Sequence, residues 1–182
     1  YRGYRYVREV RLVKQARAFL AKADGRRAQL CLQRALAYDP KDVEACRLMA
    51  NLTDGARSPA ALLWRSRVVE LNPRSLDDRL ALAQTALNWR NYAAATNALD
   101  GVDAAGQKTP GYHNLAGAAA IAANQLAQAE AHFLEAARLE PLNAVLQLNL
   151  AVVRLQSTNA QSIAAARTNL RQIGSNPTNS AL

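Results

Sequence analysis

The sequence predicts an all-α fold built from consecutive pairs of short helices. Alanine is abundant, aromatic residues make up only 5% of the chain, and no alternating polar–apolar run typical of a strand persists. Alanine favours closely packed helices because it loses no side-chain entropy when a helix forms. Proline recurs at spacings of 33, 37, 31 and 36 residues, at Pro40, Pro73, Pro110, Pro141 and Pro177. Since proline ends helices but cannot continue them, the sequence predicts five repeats of two helices each in a single domain, 1–182.

The first repeat, residues 7–40, begins with a strongly basic amphipathic helix. Leu12, Ala16 and Phe19 fall on one of its faces, at the three- and four-residue spacing of a helix. Asp24–Gly25 is a turn signal. The next helix places Ala28, Leu32 and Ala35 on one apolar face.

The second and third repeats, 42–73 and 75–109, carry helix-start signals. Asp42 is a plausible N-cap of its helix, because an aspartate oxygen accepts hydrogen bonds from unpaired backbone N–H groups. Asp77 and Asp78 lie in a predicted first turn, where we expect a capping role rather than an acid/base pair. The longest break in the pattern runs from 101 to 110.

The fourth repeat, 110–141, is the clearest, and the fifth, 143–177, follows its pattern more weakly. In the fourth, a tight turn is predicted at 123–125, and Gly117 is a small residue midway along the first helix. Ala129, Phe133 and Ala136 share one face of the second helix. We therefore expect the two helices to approach closely, with the Phe133 ring filling the gap between layers.

This stretch resembles a tetratricopeptide (TPR) repeat, whose period is about 34 residues. The resemblance covers nearly the whole chain and is most specific in the fourth repeat. It implies an α-solenoid, a right-handed superhelix of about five antiparallel helix pairs, with a concave groove formed mainly by the first helix of each pair. In the family this groove holds a peptide or a partner helix. The function implied is a non-enzymatic protein–protein interaction scaffold.

The resemblance also implies which residues face the groove. Amides both donate and accept hydrogen bonds, as recognition of a peptide backbone requires. Surface amides are also common on helices with no ligand. The groove positions that the family pattern gives are Lys14, Arg17, Arg47, Gln84, Asn88, Asn114, Asn149 and Gln156.

The net charge of +9 is concentrated at one end of the chain. Residues 1–74 carry 16 Lys+Arg and 7 Asp+Glu, whereas residues 75–182 carry 7 of each. This asymmetry argues against a nucleic-acid footprint that runs the length of a groove, and no nucleic-acid partner is expected. The basic end is interpreted as a solvated surface or as a face for anionic lipid headgroups, with a local nucleic-acid contact as a third alternative. The lipid-facing candidates are Arg2, Arg5, Arg8 and Arg11.

Two further expectations concern the ends of the chain. The alternative function is a membrane-tethered assembly factor that acts through its basic N-terminal end. Because the chain starts at Tyr1 rather than at a methionine, we expect its anchor in a segment upstream of Tyr1. The Ala- and Arg-rich composition suits a bacterial source. At the other end, the apolar stripe formed by Ile163, Ala166, Leu170 and Ile173 is predicted to be partly exposed. It could support a homodimer through the C-terminal helix.

The sequence offers little support for catalysis, a metal or a cofactor. No zinc-ligand spacing, P-loop or hydrolase motif occurs. His113 and His132, the only two histidines, are predicted to lie on different helices as packing or surface residues. Cys31 and Cys46 are interpreted as small hydrophobic residues, and Trp64 and Trp89 as packing residues, with Trp89 able to anchor a partner if exposed.

Overall fold

The computed structural model describes residues 2–156 and 159–175, and side chains from residue 8 onward. Its regular secondary structure is helical, as predicted. The α-helices are α1 (Arg2–Ala21), α2 (Gly25–Tyr38), α3 (Val43–Gly55), α4 (Ala60–Leu71), α5 (Leu76–Asn88), α6 (Tyr92–Asp100), α7 (Pro110–Ala122), α8 (Leu126–Leu139), α9 (Ala144–Leu155) and α10 (Ala160–Ser175). The predicted break at 101–110 contains a short 3₁₀ turn, Gly106–Lys108.

The helices form two compact halves, an N-terminal half, Tyr1–Trp89, and a C-terminal half, Arg90–Leu182. In the N-terminal half α1 packs on α2 and α3 on α4, with α2 touching α3 and α4 touching α5. In the C-terminal half α7 packs on α8 and α9 on α10, with α6 touching α7 and α8 touching α9. Consecutive antiparallel pairs are therefore the building unit in both halves. The five repeat boundaries within a single domain stay a prediction.

The turns inside four helix pairs share one backbone conformation. Ala23, Arg57, Arg90 and Asn124 have φ values of 56°, 49°, 55° and 58°, which is the left-handed region that residues other than glycine rarely adopt. These four positions are 34, 33 and 34 residues apart. The local structure therefore repeats with the period predicted from the prolines, and more regularly than the prolines do.

Capping side chains fix where the helices begin. Asp42 is the N-cap of α3, as predicted, and its Oδ1 accepts hydrogen bonds from the N–H groups of Glu44 and Ala45 at 2.8 and 3.1 Å. The predicted capping role of Asp77 and Asp78 is wrong. Ser75 caps α5, with its hydroxyl accepting from the N–H of Asp78 at 3.2 Å, and this leaves the Asp78 carboxylate for another partner.

The core is rich in alanine, so the helices lie close together. In the N-terminal half it contains Val13, Ala16, Ala28, Leu32, Ala35, Ala45 and Met49. In the C-terminal half it contains Ala120, Ala129, Phe133, Ala137, Leu150 and Val153. A Cβ added to Gly117 would lie 2.8–2.9 Å from ring atoms of Phe133. The predicted close approach of α7 and α8 is thus present, with the aromatic ring packed directly on the glycine.

Candidate protein-binding surface

In the N-terminal half, arginines on one first helix reach acidic residues on the next. Arg17 on α1 donates to Glu44 on α3 at 2.6 Å. Arg47 on α3 donates through Nε and Nη2 to the two carboxylate oxygens of Asp78 on α5, at 2.7 and 2.6 Å. These contacts lie on the faces that successive first helices turn toward each other. Two of the predicted groove residues, Arg17 and Arg47, are therefore engaged in contacts within the chain.

Asp78 is a buried anion with a full set of partners. Its side chain is 6% exposed, against 35% for Arg47, and Asn72 adds a third hydrogen bond at 3.1 Å. Burial by itself would raise the pKa of Asp78. The hydrogen bonds and the positive charge of Arg47 outweigh burial, so the pKa of Asp78 lies below its usual range.

Glu9 gives the N-terminal half a second buried carboxyl group, in a very different environment. The residue is 8% exposed. Burial, a hydrogen bond to Asp42 and the negative charges of Asp42 and Asp39 together raise the pKa of Glu9 to about 7. Glu9 lines a cavity of about 480 Å³ together with Lys14, Arg17 and other residues.

Lys14, Gln84 and Asn88 are exposed on the first helices α1 and α5. The Nε2 of Gln84 donates to the Oδ1 of Asn88, one turn later, at 3.0 Å. Asn88 lines a cavity of about 420 Å³ with Trp89 and the turn residue Arg57. Trp89 is 41% exposed, so it is available as an anchor for a partner rather than packed in the core.

In the C-terminal half, two predicted groove residues meet across helices. The Nδ2 of Asn149 on α9 donates to the Oδ1 of Asn114 on α7 at 2.8 Å. Both residues are half-buried, whereas Gln156, which follows α9, is exposed. The link between the first helices α7 and α9 is therefore neutral, unlike the ionic links of the N-terminal half.

The basic end has a cavity of its own. Three arginines line a space of about 700 Å³ with Leu12, Ala37 and Tyr38, namely Arg8, Arg11 and Arg34. The Nη1 of Arg8 donates to the Tyr38 hydroxyl at 3.4 Å. Arg2 and Arg5 lie in α1, and their side chains fall outside the described residues. No helix in the described part of the chain is both long and apolar enough to cross a membrane.

The two histidines, predicted to be separate packing or surface residues, lie together. The Nδ1 atoms of His113 on α7 and His132 on α8 are 3.1 Å apart, and the Tyr112 ring stands edge-on to both imidazoles. Burial lowers the pKa of each histidine. Among the described residues, no group of three or more His, Cys, Asp or Glu is placed to hold a metal ion.

Known proteins share this repeat architecture. A family model described as anaphase-promoting complex, cyclosome, subunit 3, matches residues 56–136. MamA from Desulfovibrio magneticus RS-1 superposes with a TM-score of 0.80 at 16% identity, over 91% of this chain and 92% of that one. YrrB, described as a TPR protein with an unusual peptide-binding site, gives a TM-score of 0.75 at 13% identity, over 88% and 84%. The chain has the TPR fold.

A third solved structure with this repeat architecture is similar to the chain. PilF from Pseudomonas aeruginosa gives a TM-score of 0.72 at 15% identity, over 92% of this chain and 77% of that one. The comparison with curated protein sequences finds no match. At these identities the similarity establishes the TPR fold alone and does not identify a ligand.

The TPR hairpin contains a signal that could have identified the histidine pair. Antiparallel helices joined by a tight turn bring residues equally distant from that turn to the same level. His113 lies eleven residues before Asn124 and His132 eight residues after it. Counting from the turn therefore places the two imidazoles within about one helical turn of each other.

Proposed function

We propose that this TPR chain is a non-enzymatic scaffold that binds an extended peptide or protein segment on the first-helix faces of its two halves. The observation that carries the proposal is an amide contact on each of these faces, Gln84–Asn88 in the N-terminal half and Asn114–Asn149 in the C-terminal half. The YrrB structure, a TPR protein described as having a peptide-binding site, supports the same class of function.

Each amide pair is suited to a peptide backbone. Asn149 donates through Nδ2 and Asn114 accepts through Oδ1. Within the described residues, the Nδ2 of Asn114 and the Oδ1 of Asn149 have no other hydrogen-bond partner. This leaves one donor and one acceptor side by side, which is what the C=O and N–H of an extended peptide require. The Gln84–Asn88 pair leaves the same combination.

The experiment starts from peptides selected on the purified chain from a random phage-displayed library. Their affinities are measured by fluorescence anisotropy for wild type and for a Gln84→Ala, Asn114→Ala, Asn149→Ala variant. Each hydrogen bond to the peptide contributes about 0.5–1.5 kcal/mol. We therefore expect the triple variant to lose at least about tenfold in affinity. Circular dichroism checks that it is folded.

The matched control carries the same number of amide-to-alanine changes on second helices. Gln33 on α2, Asn97 on α6 and Gln161 on α10 are exposed, so Gln33→Ala, Asn97→Ala, Gln161→Ala removes equivalent chemistry from the other side of each pair. It should bind as wild type does. Equal weakening in both variants, or in neither, would refute the first-helix face as the binding surface.

A second candidate function is attachment to an anionic membrane through the basic end. The convergence of Arg8, Arg11 and Arg34 on one cavity favours it, because clustered arginines attract anionic headgroups. Sedimentation with anionic liposomes tests it. This function predicts salt-sensitive binding that is lost when Arg2, Arg5, Arg8 and Arg11 become Gln, whereas binding unaffected by those changes would exclude it.

A further inference from the structure

The histidine pair of the fourth repeat has a geometry that the scaffold function does not use. The chain contains two histidines, on different helices, and their Nδ1 atoms are 3.1 Å apart. The ring centroids are 5.4 Å apart and the ring planes are tilted by 40°. Both residues are half-buried, so neither is fully sealed from solvent.

We propose that His113 and His132 chelate one divalent transition-metal ion through their two Nδ1 atoms, with water completing the coordination shell. Zinc–imidazole bonds are about 2.0–2.1 Å long, so two nitrogens on one ion lie about 2.9 Å apart at a right angle and about 3.3 Å apart at the tetrahedral angle. The observed 3.1 Å falls between these limits. Imidazole nitrogens suit Zn²⁺, Ni²⁺ and Cu²⁺ rather than Mg²⁺ or Ca²⁺.

Metal binding requires neutral imidazoles, and the surroundings of both rings favour the neutral form. Burial lowers the pKa of both rings. The charge of Arg138 lowers the pKa of His113 further while that of Glu135 opposes it, and the pKa of His132 is lowered by His113 as well. Glu135 is itself paired with Arg138 at 2.7 Å.

His132 also lines a cavity whose wall carries oxygen-bearing side chains. The cavity has a volume of about 160 Å³, and Tyr112, Asp100, Thr96 and Gln128 are among its other lining residues. Side-chain oxygens of this kind accept hydrogen bonds from metal-bound water where they are within reach, and such contacts orient the groups around a metal. The site would tie α7 to α8 within one TPR hairpin, adding a metal-dependent link beside the Gly117–Phe133 contact.

Isothermal titration with ZnCl₂ and NiCl₂ at pH 7.5, on the full chain purified without a histidine tag, tests the proposal. We expect one ion per chain and a rise in Tm with metal, since a ligand that binds only the folded state stabilises it. His113→Gln and His132→Gln should each weaken binding at least tenfold, because either change removes one arm of the chelate. Binding should also weaken as the pH falls below the ordinary histidine value of 6.5.

Two controls make the result decisive. A Cys31→Ser, Cys46→Ser variant should bind metal as wild type does, because both thiols lie in the other half of the chain. Wild type loaded with Cu²⁺ should show an electron paramagnetic resonance spectrum with hyperfine splitting from two nitrogens, a readout that needs no variant. Absence of binding up to about 1 mM metal, or unchanged binding in both histidine variants, would overturn the proposal.

Discussion

The two halves of the chain share one helix-pair design but join their first helices by different chemistry. In the N-terminal half the links are ionic, Arg17–Glu44 and Arg47–Asp78. In the C-terminal half the link is the neutral Asn114–Asn149 pair. The formal net charge is +8 for residues 1–89 and +1 for residues 90–182. The same helix-pair design therefore accommodates either an ionic or a neutral contact between first helices.

Arg47 and Asn114 occupy equivalent positions in their repeats. Arg47 lies ten residues before the left-handed turn residue Arg57, and Asn114 lies ten residues before Asn124. The same site in the repeat thus holds an arginine in one half and an asparagine in the other. A charged link depends on pH and leaves an unpaired ion if one partner is lost, whereas an amide link does neither. Four predictions test how the two halves compare.

The largest expected effect is the loss of the buried anion in the N-terminal half. Asp78→Ala leaves Arg47 without its carboxylate and should lower the free energy of unfolding by about 3 kcal/mol. Asn149→Ala, the counterpart in the C-terminal half, should cost only about 1 kcal/mol. Urea denaturation followed by circular dichroism measures both.

Asp77→Ala is the matched control for this prediction. Asp77 is the exposed neighbour in the same first turn, so its loss should cost less than about 1 kcal/mol. Because the pKa of Asp78 is lowered in the folded state, its contribution is present above the ordinary value of 3.8 and is lost as the pH falls through the folded value. Equal losses at Asp77 and Asp78 would contradict the account.

The second prediction concerns Glu9 and has the opposite pH dependence. Its pKa is raised from 4.5 to about 7, so the folded state holds the proton more tightly, and stability is lost as the pH rises from about 4.5 through 7. At pH 8 the ionised, buried carboxylate should cost up to about 3 kcal/mol. Glu9→Gln should remove this cost, so that stability no longer falls as the pH rises from 5 to 8.

Glu70→Gln serves as the control for Glu9. Glu70 lies exposed on α4 in the same half and pairs with Arg67 three residues away at 3.0 Å. Its change should leave the pH profile of wild type in place, with a shift of less than about 1 kcal/mol. A wild-type profile that does not fall above pH 5 would show that Glu9 is not held in a buried, protonated form.

The third prediction concerns the tight helix contact of the C-terminal half. Gly117→Ala should lower the free energy of unfolding by about 1–3 kcal/mol, because the new methyl group would overlap the Phe133 ring. This loss opposes the gain of up to about 1 kcal/mol that alanine brings to a helix. Gly174→Ala, with nothing within 4 Å of the added Cβ, should show the gain alone. Thermal melting of both variants measures these effects. Stabilisation by both changes would contradict the predicted overlap of the new methyl group with the Phe133 ring.

The smallest expected effect lies in the turns, where the halves should behave alike. Arg57 and Arg90 adopt a left-handed backbone that costs a side-chain-bearing residue about 1 kcal/mol. Arg57→Gly and Arg90→Gly should therefore each raise the free energy of unfolding by up to about 1 kcal/mol. Asn124→Gly should change it by less, since asparagine tolerates this region better than arginine. Destabilisation at both arginine sites would mean that their side chains matter more than the turn.

The sequence predicted the helix pairs well because their signals are local. Proline spacing, the Ala129–Phe133–Ala136 face and the Asp42 cap all depend on neighbours within a few turns. The partner of Asp78 lies 31 residues away, and Asp42, the hydrogen-bond partner of Glu9, is also distant in sequence, so neither interaction follows from local pattern. The contact between the two histidines was not predicted, for another reason. Its signal is the similar distance of both residues from one turn, rather than a motif.

The face that binds a partner is tested most directly by photo-crosslinking in the source cells. A benzophenone amino acid replaces Gln84 or Asn149 on first helices in one set of proteins, and Gln33 or Asn97 on second helices in the other. We expect a crosslinked protein adduct from the first-helix positions and none from the second-helix positions. Adducts only from the second-helix positions would contradict the proposed binding face.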